Sequence, residues 1–269
     1  MSTRVVIIGA SGRMGCTLLR TAGEFPELRL SGAIASACST ALGRDAGELA
    51  GGAPLGVAIS ADLPSALAAA DVAIDFSHAD ATVEHLAACE AAGIPLLIGT
   101  TGFAPDLERR LAAAARHIAL LVAANTSLGV TLLVELVRTA AEALPGSFDI
   151  EILETHHRLK RDAPSGTALA LARAAGEGRG QSAEQALAGA GAARAGARAA
   201  GQIGFAVRRG GDVIGEHEVR FFGAGESLEL AHRATDRAIF ARGALTAALW
   251  LAQQPAGRYF MRDIFFKNQ

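Results

Sequence analysis

The chain has 269 residues, of which 51% are hydrophobic and 19% charged, and its formal net charge is −2 at pH 7. This composition argues against a disordered chain and allows one large domain or two modest ones. It offers no basic stripe for nucleic-acid binding, and the short apolar run after the N-terminus predicts neither a signal peptide nor a membrane span. The three cysteines (Cys16, Cys38 and Cys89) form no C-x-x-C pair, which argues against a disulfide framework. We therefore expect a cytoplasmic protein.

The first motif is a strand, a glycine-rich turn and a helix near the N-terminus. Val5–Ile8 is typical of a strand buried on both faces, and Arg13–Ala22 has a helical pattern. Between them stands G-A-S-G-R-M-G, residues 9–15, with the spacing G-x-x-G-x-x-G. Such a turn predicts dinucleotide binding, because its glycines allow a tight turn, a close pyrophosphate and close helix packing. A glycine turn that serves packing alone is the alternative.

The end of the second predicted strand, Leu28–Ala35, bears on the choice of cofactor. An acidic residue there would bind the 2′-hydroxyl of NAD and repel the 2′-phosphate of NADP. The chain has Ala35 and Ser36 at this point. We therefore predict NADPH as the cofactor, with NADH also allowed, and Arg13 or Arg44 facing the 2′-phosphate.

Short strands and helices alternate as far as residue 124 and predict a parallel, doubly wound sheet. The predicted strands are 57–60, 71–76, 94–98 and 118–123, and the predicted helices are 65–70, 81–92 and 105–115. Ser77 and His78 follow the second of these strands, and small or hydroxylated residues follow the next two. Cofactors lie across this edge of such sheets, so we expect these residues near the cofactor. His85 and Cys89, four residues apart, indicate an ordinary helix face, and we predict no metal site.

Residues 151–167 combine a strand, a cationic cluster and a helix start, in the sequence E-I-L-E-T-H-H-R-L-K-R-D-A-P-S-G-T. Ser165 is the expected N-cap of a helix through 168–175. Free N–H groups and the helix dipole attract anions at such a point. The segment therefore predicts an anion site next to several proton donors, with a charged surface loop as the alternative.

The remaining pattern predicts a helix over 130–144, a flexible loop or mobile lid over 174–201, and antiparallel strands over 203–207, 213–222 and 227–233. Glu216 and His217 on the second of these strands favour sheet or subunit contact over chemistry. A long apolar helix is predicted over 237–252, and the tail 261–265 is expected to pack on the first domain.

Residues 151–168 closely resemble the signature of the 4-hydroxy-tetrahydrodipicolinate reductase (dihydrodipicolinate reductase) family of diaminopimelate and lysine synthesis. Five further stretches agree in the family's order: G-A-S-G-R-M-G, D-F-S, I-G-T-T-G-F, A-A-N-T-S and I-G-F-A-V-R-R-G-G-D-V-I-G-E-H. The resemblance implies an α/β fold in which residues 1–126 and 237–269 form a Rossmann-like dinucleotide-binding domain. It also implies an α+β domain, residues 127–236, whose mixed or antiparallel sheet binds substrate and forms a homotetramer.

The resemblance also implies residue roles by position, with His156 and Lys160 as the catalytic proton donors. The implied cofactor contacts are Gly9, Ala10, Ser11, Gly12, Arg13, Met14, Ser36, Phe76, Gly99, Thr100, Thr101, Ala123, Ala124, Asn125 and Thr126. The implied substrate contacts are Thr101, His157, Lys160, Ser165, Gly166 and Thr167. The chain departs from the family pattern at Ala35–Ser36, where an acidic-basic pair is usual, at Leu159, where a polar residue is common, and over 195–201, which lacks R-x-G-x-T-G-x-R.

The implied reaction reduces 4-hydroxy-tetrahydrodipicolinate, a small cyclic dicarboxylate, to tetrahydrodipicolinate through the dihydrodipicolinate imine. Hydride comes from NADPH or NADH and a proton from His156 or Lys160. Lys160 alternatively holds a substrate carboxylate as a point charge. Two other functions stay open: another NAD(P)-dependent reductase or amino-acid dehydrogenase on the same scaffold, and a nucleotide-sensing protein without catalysis.

Overall fold

The computed structural model describes residues 2–103, 107–190 and 196–266. The chain divides into two compact units, one of Met1–Ser127 with Ala238–Gln269 and one of Leu128–Arg237. Each unit has its own apolar core. In the part of the chain that the structure describes, no helix has the length and apolar character needed to span a membrane.

The first unit alternates strands and helices up to residue 127. Its strands are β1 (Thr3–Ile8), β2 (Leu28–Ile34), β3 (Ile59–Ser60), β4 (Val72–Asp75), β5 (Leu96–Ile98) and β6 (Ala119–Val122). Its helices are α1 (Arg13–Ala22), α2 (Ala46–Leu49), α3 (Leu63–Leu67), α4 (Ala79–Ala92) and α5 (Leu107–Ala114). The predicted start of the helix over 105–115 lies outside the described residues. Helix α2, which the sequence pattern does not predict, has Asp45 as its N-cap, and the Asp45 carboxylate accepts hydrogen bonds from the N–H groups of Gly47 and Glu48.

Among its described residues, the second unit has three helices and four strands. They are α6 (Leu128–Ala143), β7 (Asp149–His156), α7 (Gly166–Gly178), α8 (Ala183–Leu187), β8 (Ile203–Arg209), β9 (Gly215–Gly223) and β10 (Glu226–Ala234). The prediction of a loop over 174–201 is wrong for its first half, because α7 continues to Gly178 and α8 follows. A capping box between Ser182 and Gln185 starts α8. Residues 191–195 of that loop lie outside the described residues, and a lid stays a prediction.

The chain then returns to the first unit through α9 (Ala238–Leu251), β11 (Gly257–Tyr259) and a 3₁₀ helix (Met261–Ile264). Helix α9 packs against α1, and the 3₁₀ helix packs against α9. The expectation that the tail joins the first unit is therefore confirmed. Strand β11, which the sequence pattern does not predict, pairs with β6.

The seven strands that the structure describes in the first unit all run parallel, in the order β11-β6-β5-β4-β1-β2-β3. The predicted doubly wound sheet is confirmed. Its central strands are mostly apolar because both faces of the sheet are covered, and Val5, Val6 and Ile7 have no exposed surface. The strand order reverses between β1 and β4, and ligands of such sheets bind beyond the carboxyl ends of the strands at this point.

The sheet of the second unit has the order β10-β9-β7-β8. Strands β9 and β10 are antiparallel to their neighbours, as predicted, but β8 runs parallel to β7. The antiparallel prediction for β8 is wrong, because the helical connection through α7 and α8 is long enough to cross over and return the chain in the same direction. On one face, Ile150, Ile152 and Phe221 are buried with residues of α6 and α7. The opposite face carries Leu153, which is half-buried, and Phe222, which is exposed.

Candidate active site

A cleft of about 930 Å³ opens at the carboxyl edge of the parallel sheet in the first unit. It lies where β1, β2, β4 and β5 end and α1 begins, at the reversal of strand order. Ten of the predicted cofactor residues line it: Gly9, Ser11, Gly12, Arg13, Met14, Ser36, Phe76, Gly99, Thr100 and Thr101. Of the two arginines considered for the 2′-phosphate, Arg13 lines the cleft and Arg44 does not.

The glycine turn at the start of α1 packs too closely to neighbouring backbone for side chains at two of its glycines. Gly9 has φ +80°, and a Cβ there would lie 2.7 Å from the carbonyl oxygen of Phe76. A Cβ on Gly15 would lie 2.2 Å from the carbonyl oxygen of Gly9, so the helix can pack this close only with glycine. Gly12 is the N-cap of α1 and supplies no side-chain cap. The bare helix start therefore fits a dinucleotide phosphate.

Five predicted cofactor residues do not line the cleft. Ala10 is fully buried beneath the turn, and the other four, Ala123, Ala124, Asn125 and Thr126, follow β6. The Thr126 hydroxyl donates to the carbonyl oxygen of Phe240 at 2.7 Å, and the Asn125 side-chain oxygen accepts from the N–H of Ser127 at 2.9 Å. These bonds shape the chain between β6 and α6. Contact of the four residues with cofactor stays a prediction.

One side chain of the cleft wall, His85, belongs to a buried Asp–His pair that the sequence pattern does not indicate. Asp75, at the end of β4, has no exposed surface and accepts from Nδ1 of His85 at 2.9 Å and from the N–H of Ser77 at 2.8 Å. His85 lines the cleft, together with His78 and Glu84. Burial, with the Asp75 charge, raises the pKa of the Cys89 thiol to about 12. Within the described ranges, no three His, Cys, Asp or Glu side chains converge on a metal position.

In the second unit, the buried face of β7 becomes polar at its carboxyl end. Side chains on one face of a strand recur every second residue, so Ile150 and Ile152 are followed on that face by Glu154 and His156. Glu154 is 1% exposed and His156 is 8% exposed. Nδ1 of His156 donates to Oε2 of Glu154 at 2.5 Å. This pair is the centre of the candidate active site.

Arg209, the last residue of β8, completes the pair from the neighbouring strand. Its two terminal nitrogens donate to the two carboxylate oxygens of Glu154, each at 2.8 Å, and the N–H of Ser165 donates to Oε1 at 3.0 Å. Burial opposes ionisation of Glu154, but the hydrogen bonds from Arg209 and His156 outweigh it and hold its pKa below the usual value. Glu154 is therefore a carboxylate at neutral pH.

A second histidine lies against the first. The rings of His156 and His217 meet edge to face with centroids 5.1 Å apart, and Ser165 Oγ lies 3.0 Å from Nε2 of His217. Burial, followed by the charge of His156, lowers the pKa of His217 to about 4. Burial also lowers the pKa of His156, as do the charges of Lys160 and Arg209, whereas Glu154 opposes the shift. His217, predicted as a sheet or subunit contact, thus belongs to the cluster around His156.

The segment between β7 and α7 carries the other predicted residues. The ammonium of Lys160 pairs with the carboxylate of Asp162 at 2.7 Å, and this bond lowers the pKa of Asp162. The N–H of His157 donates to the carbonyl oxygen of Val213 at 2.7 Å, which anchors the loop to the chain before β9. His157, with Arg158, Leu159, Gly211, Asp212 and Arg237, lines a cavity of about 640 Å³ within the second unit.

Ser165 is the N-cap of α7, as predicted, and its Oγ accepts from the N–H of Ala168 at 3.2 Å. Because Ser165 is 2% exposed, its side chain serves the helix start and His217. Gly166 is exposed and Thr167 is half-buried in the first turn of the helix. These two residues place N–H groups and a hydroxyl at the positive end of the α7 dipole.

A glycine-turn cleft in a doubly wound sheet, with a second unit that presents a buried histidine and a half-buried lysine, is typical of a dinucleotide-dependent oxidoreductase. Two family models identify it further, because the N-terminus of dihydrodipicolinate reductase matches residues 3–126 and the C-terminus matches 129–265. The chain belongs to the dihydrodipicolinate reductase family, whose members are NAD(P)H-dependent enzymes.

Relatives and solved structures agree with this assignment. A 4-hydroxy-tetrahydrodipicolinate reductase from Anaeromyxobacter dehalogenans (strain 2CP-1) is 51% identical over 97% of both chains. One from Nitrosospira multiformis is 43% identical over 100% of both. A dipicolinate-bound dihydrodipicolinate reductase from Paenisporosarcina sp. TG-14 superposes with a TM-score of 0.78 at 23% identity, covering 99% of this chain and 100% of that one. The expected fold, a Rossmann-like unit with a second mixed-sheet unit, is confirmed.

Proposed function

We propose that the chain catalyses its family's reaction, the reduction of 4-hydroxy-tetrahydrodipicolinate to tetrahydrodipicolinate through the dihydrodipicolinate imine, in diaminopimelate and lysine synthesis. The observation that supports this best is the match of the two family models over residues 3–126 and 129–265, which include the glycine turn and the segment from His156 to Thr167. The chemistry of both sites suits a reduction that needs one hydride and one proton.

The cleft of the first unit would hold NADPH. The backbone of Gly9–Met14 and the start of α1 would bind the pyrophosphate, and Arg13 with Ser36 would face the 2′-phosphate. Gly99, Thr100 and Thr101 would lie along the nicotinamide end, with Thr101 reaching the substrate. When bound there, the reduced cofactor supplies the hydride. NADH would also be accepted, since Ala35 and Ser36 neither repel a phosphate nor prevent binding of a ribose hydroxyl.

The first turn of α7 would bind one substrate carboxylate. The N–H groups of Gly166 and Thr167 and the Thr167 hydroxyl can donate to it, and the helix dipole favours the negative charge. His157 and Lys160 would bind the rest of the dicarboxylate. Two carboxylates in this cationic segment lower the free energy of any added positive charge nearby, including a proton on His156.

The proton that completes the reduction would come from Nε2 of His156 or from Nζ of Lys160. In the free enzyme the pKa of His156 lies below its ordinary value, so the imidazole is mostly neutral at pH 7. Substrate carboxylates would raise that pKa and charge the ring when the substrate binds. The ammonium of Lys160 is held in an ion pair with Asp162. We expect His156 to donate the proton to the substrate carbon. Lys160 would assist this transfer or pass its own proton to the substrate through His156.

The exposed face of the second sheet would form the homotetramer. Leu153 and Phe222 present apolar surface there, and burial of such a face in an oligomer removes it from water. Size-exclusion chromatography with light scattering measures this directly, and a monomer at micromolar concentration would contradict it.

A spectrophotometric assay tests the proposed reaction. Substrate is made in situ by the preceding synthase, and oxidation of NADPH is followed at fixed enzyme concentration. We expect rapid oxidation that requires the synthase product and falls by about 10²-fold or more in His156→Asn. Oxidation only with an unrelated amino or keto acid from a substrate panel would indicate another dehydrogenase. Cofactor binding without oxidation of fresh substrate would indicate a nucleotide sensor.

A further inference from the structure

We infer that Glu154 and Arg209 act together as positioning residues for His156, with Glu154 holding the ring proton on Nδ1 and Arg209 limiting the pull of Glu154 on that proton. Neither residue is among the predicted site residues. Only the catalytic consequence of this inference rests on the proposed function. The effect on His156 itself is measured separately below.

The contacts of Glu154 leave its carboxylate a single orientation. Oε2 accepts from His156 and Arg209, and Oε1 accepts from Arg209 and from the N–H of Ser165. Because four donors from β7, β8 and the start of α7 converge on a carboxylate that is 1% exposed, it cannot turn away from the ring. The imidazole must then keep a proton on Nδ1, and Nε2 is the nitrogen that exchanges a proton with substrate.

The structure also leaves room at Nε2. Gly215, the first residue of β9, lies beside the ring, and a Cβ at this position would be 3.1 Å from Nε2 of His156 and 3.4 Å from its Cδ2. A side chain there would occupy space next to the exchanging nitrogen. The ring is thus fixed through Nδ1 on one side and uncrowded at Nε2 on the other.

The charges around His156 explain why an arginine accompanies the carboxylate. Charged or titratable side chains near the ring come from every strand of the sheet and from the loop after β7. They are Glu154 on β7, Arg209 on β8, His217 on β9 with its register partner His232 on β10, and the ion pair of Lys160 with Asp162 in the loop. A lone buried carboxylate would hold the imidazolium too strongly for the ring to act as an acid. The bidentate bond from Arg209 offsets that charge, so Glu154 orients the ring while the proton on Nε2 can still leave.

Two substitutions with opposite expected effects test this. In the full-length protein with ¹³C,¹⁵N-labelled histidine, the NMR titration midpoint of His156 is followed, and its signal is assigned by its loss in His156→Asn. Glu154→Gln should lower the midpoint and Arg209→Met should raise it, each by roughly one pH unit, because one removes an anion and the other a cation. Glu154→Gln should also reduce the difference between the two ring ¹⁵N shifts, since Nδ1 loses its fixed proton.

A merely structural role would shift both midpoints in the same direction or neither, and that result would overturn the inference. Arg209→Lys keeps the positive charge but cannot make both hydrogen bonds to Glu154, and it replaces Arg209→Met in the test if that variant fails to fold. Its His156 midpoint should lie between those of wild type and Arg209→Met. Arg4→Met is the control, because it removes an equally close arginine–carboxylate pair, Arg4–Asp71 at 2.7 Å, from the first unit. We expect it to leave the His156 midpoint unchanged.

The pH profile of kcat links this to catalysis. In Glu154→Gln and Arg209→Met, the acidic and basic limbs of the kcat profile should shift in the same direction as the NMR midpoint of His156. In addition, kcat of Glu154→Gln should fall by about tenfold or more. If the midpoints move in opposite directions while kcat and its profile stay unchanged, the positioning is established and His156 is not the proton donor. The two proposals can therefore fail independently.

Discussion

The cleft of the first unit is walled by backbone and small side chains, whereas the cluster of the second unit is made of charged side chains. Gly9 and Gly15 matter because they lack a Cβ, which would come within 2.7 and 2.2 Å of backbone atoms. Glu154, Arg209 and His156 matter because of the hydrogen bonds and charges they supply. The first site therefore depends on close approach, and the second on the balance of protons.

Because of this difference, the two sites should respond to different changes. A main-chain phosphate site keeps its donors at every ordinary pH, because amide N–H groups do not titrate. The second unit buries His156 and His217, whose ring centroids are 5.1 Å apart and whose pKa values are both lowered. We therefore expect the effects of pH to arise in the second unit and the effects of added side-chain volume to arise in the first.

The largest expected effect is the loss of stability that His217 causes in acid. Its pKa is about 4 in the folded state and near 6.5 in the unfolded chain, so the unfolded chain binds a proton first as pH falls. The free energy of unfolding should therefore decrease between pH 6.5 and 4 by about 3 kcal/mol from this residue alone. It is measured by urea unfolding of wild type and His217→Gln at fixed protein concentration.

Loss of the buried ring should make His217→Gln the less stable protein at pH 7. The difference in the free energy of unfolding between wild type and variant should become smaller towards pH 4. His117→Gln is the matched control, since the side chain of His117 is 61% exposed and pairs with Glu90 at the surface. Such pairs contribute little, so its curve should follow wild type. A difference that stays constant for His217→Gln from pH 7 to 4 would contradict the prediction.

The next effect concerns the loop cation. Lys160→Ala should lower kcat by roughly a hundredfold, about 2.7 kcal/mol, if the ammonium takes part in proton donation. Steady-state kinetics with substrate made in situ measure both parameters. Arg161→Ala is the control, because it removes an exposed cation from the same loop and should change little. A rise in KM with kcat unchanged would make Lys160 a carboxylate-binding residue only.

The sequence predicts the first unit better than the second for a physical reason. Its site is local in sequence: strand, turn and helix lie within residues 3–22, and the spacing of three glycines predicts the close approaches. Buried parallel strands also have continuous apolar runs, so β1 and β4 are readily recognised. The exception is β11, which joins the sheet beside β6 from 135 residues away and contains only Gly257, Arg258 and Tyr259.

In the second unit the site depends on strand register, which the local pattern does not contain. His156 and Lys160 are found from their motif, and alternation along β7 could have indicated that Glu154 is buried and needs a partner. That the partner is Arg209 follows only from the parallel pairing of His156 with Arg209, and the pattern instead favours an antiparallel β8. The position of His217 beside His156 likewise depends on the pairing of β9 with β7.

A smaller effect should follow from one methyl group in the glycine turn. Gly15→Ala places a Cβ 2.2 Å from the carbonyl oxygen of Gly9 and 2.6 Å from Ala10, so the backbone must shift. We expect about 2 kcal/mol of destabilisation and weaker NADPH binding, measured by urea unfolding and by fluorescence titration. Gly23→Ala at the other end of α1 is the control, because φ is −65° and nothing lies within 4 Å. It should be neutral or slightly stabilising, and equal losses in both variants would contradict the close-approach explanation.

The smallest expected effect is the cofactor preference of the wild-type enzyme, because no charged residue at the end of β2 decides it. Ala35 and Ser36 line the cleft with Arg13, so kcat/KM should be at least as high with NADPH as with NADH, and the ratio should be modest. Ser36→Asp should favour NADH by roughly tenfold or more, since a carboxylate there repels the 2′-phosphate and accepts from a ribose hydroxyl. Thr40→Asp adds the same charge to the same loop without lining the cleft and should shift the ratio less. A wild-type preference for NADH of about tenfold, or an equal shift in both variants, would mean that long-range charge or other residues set the preference and that the end of β2 does not.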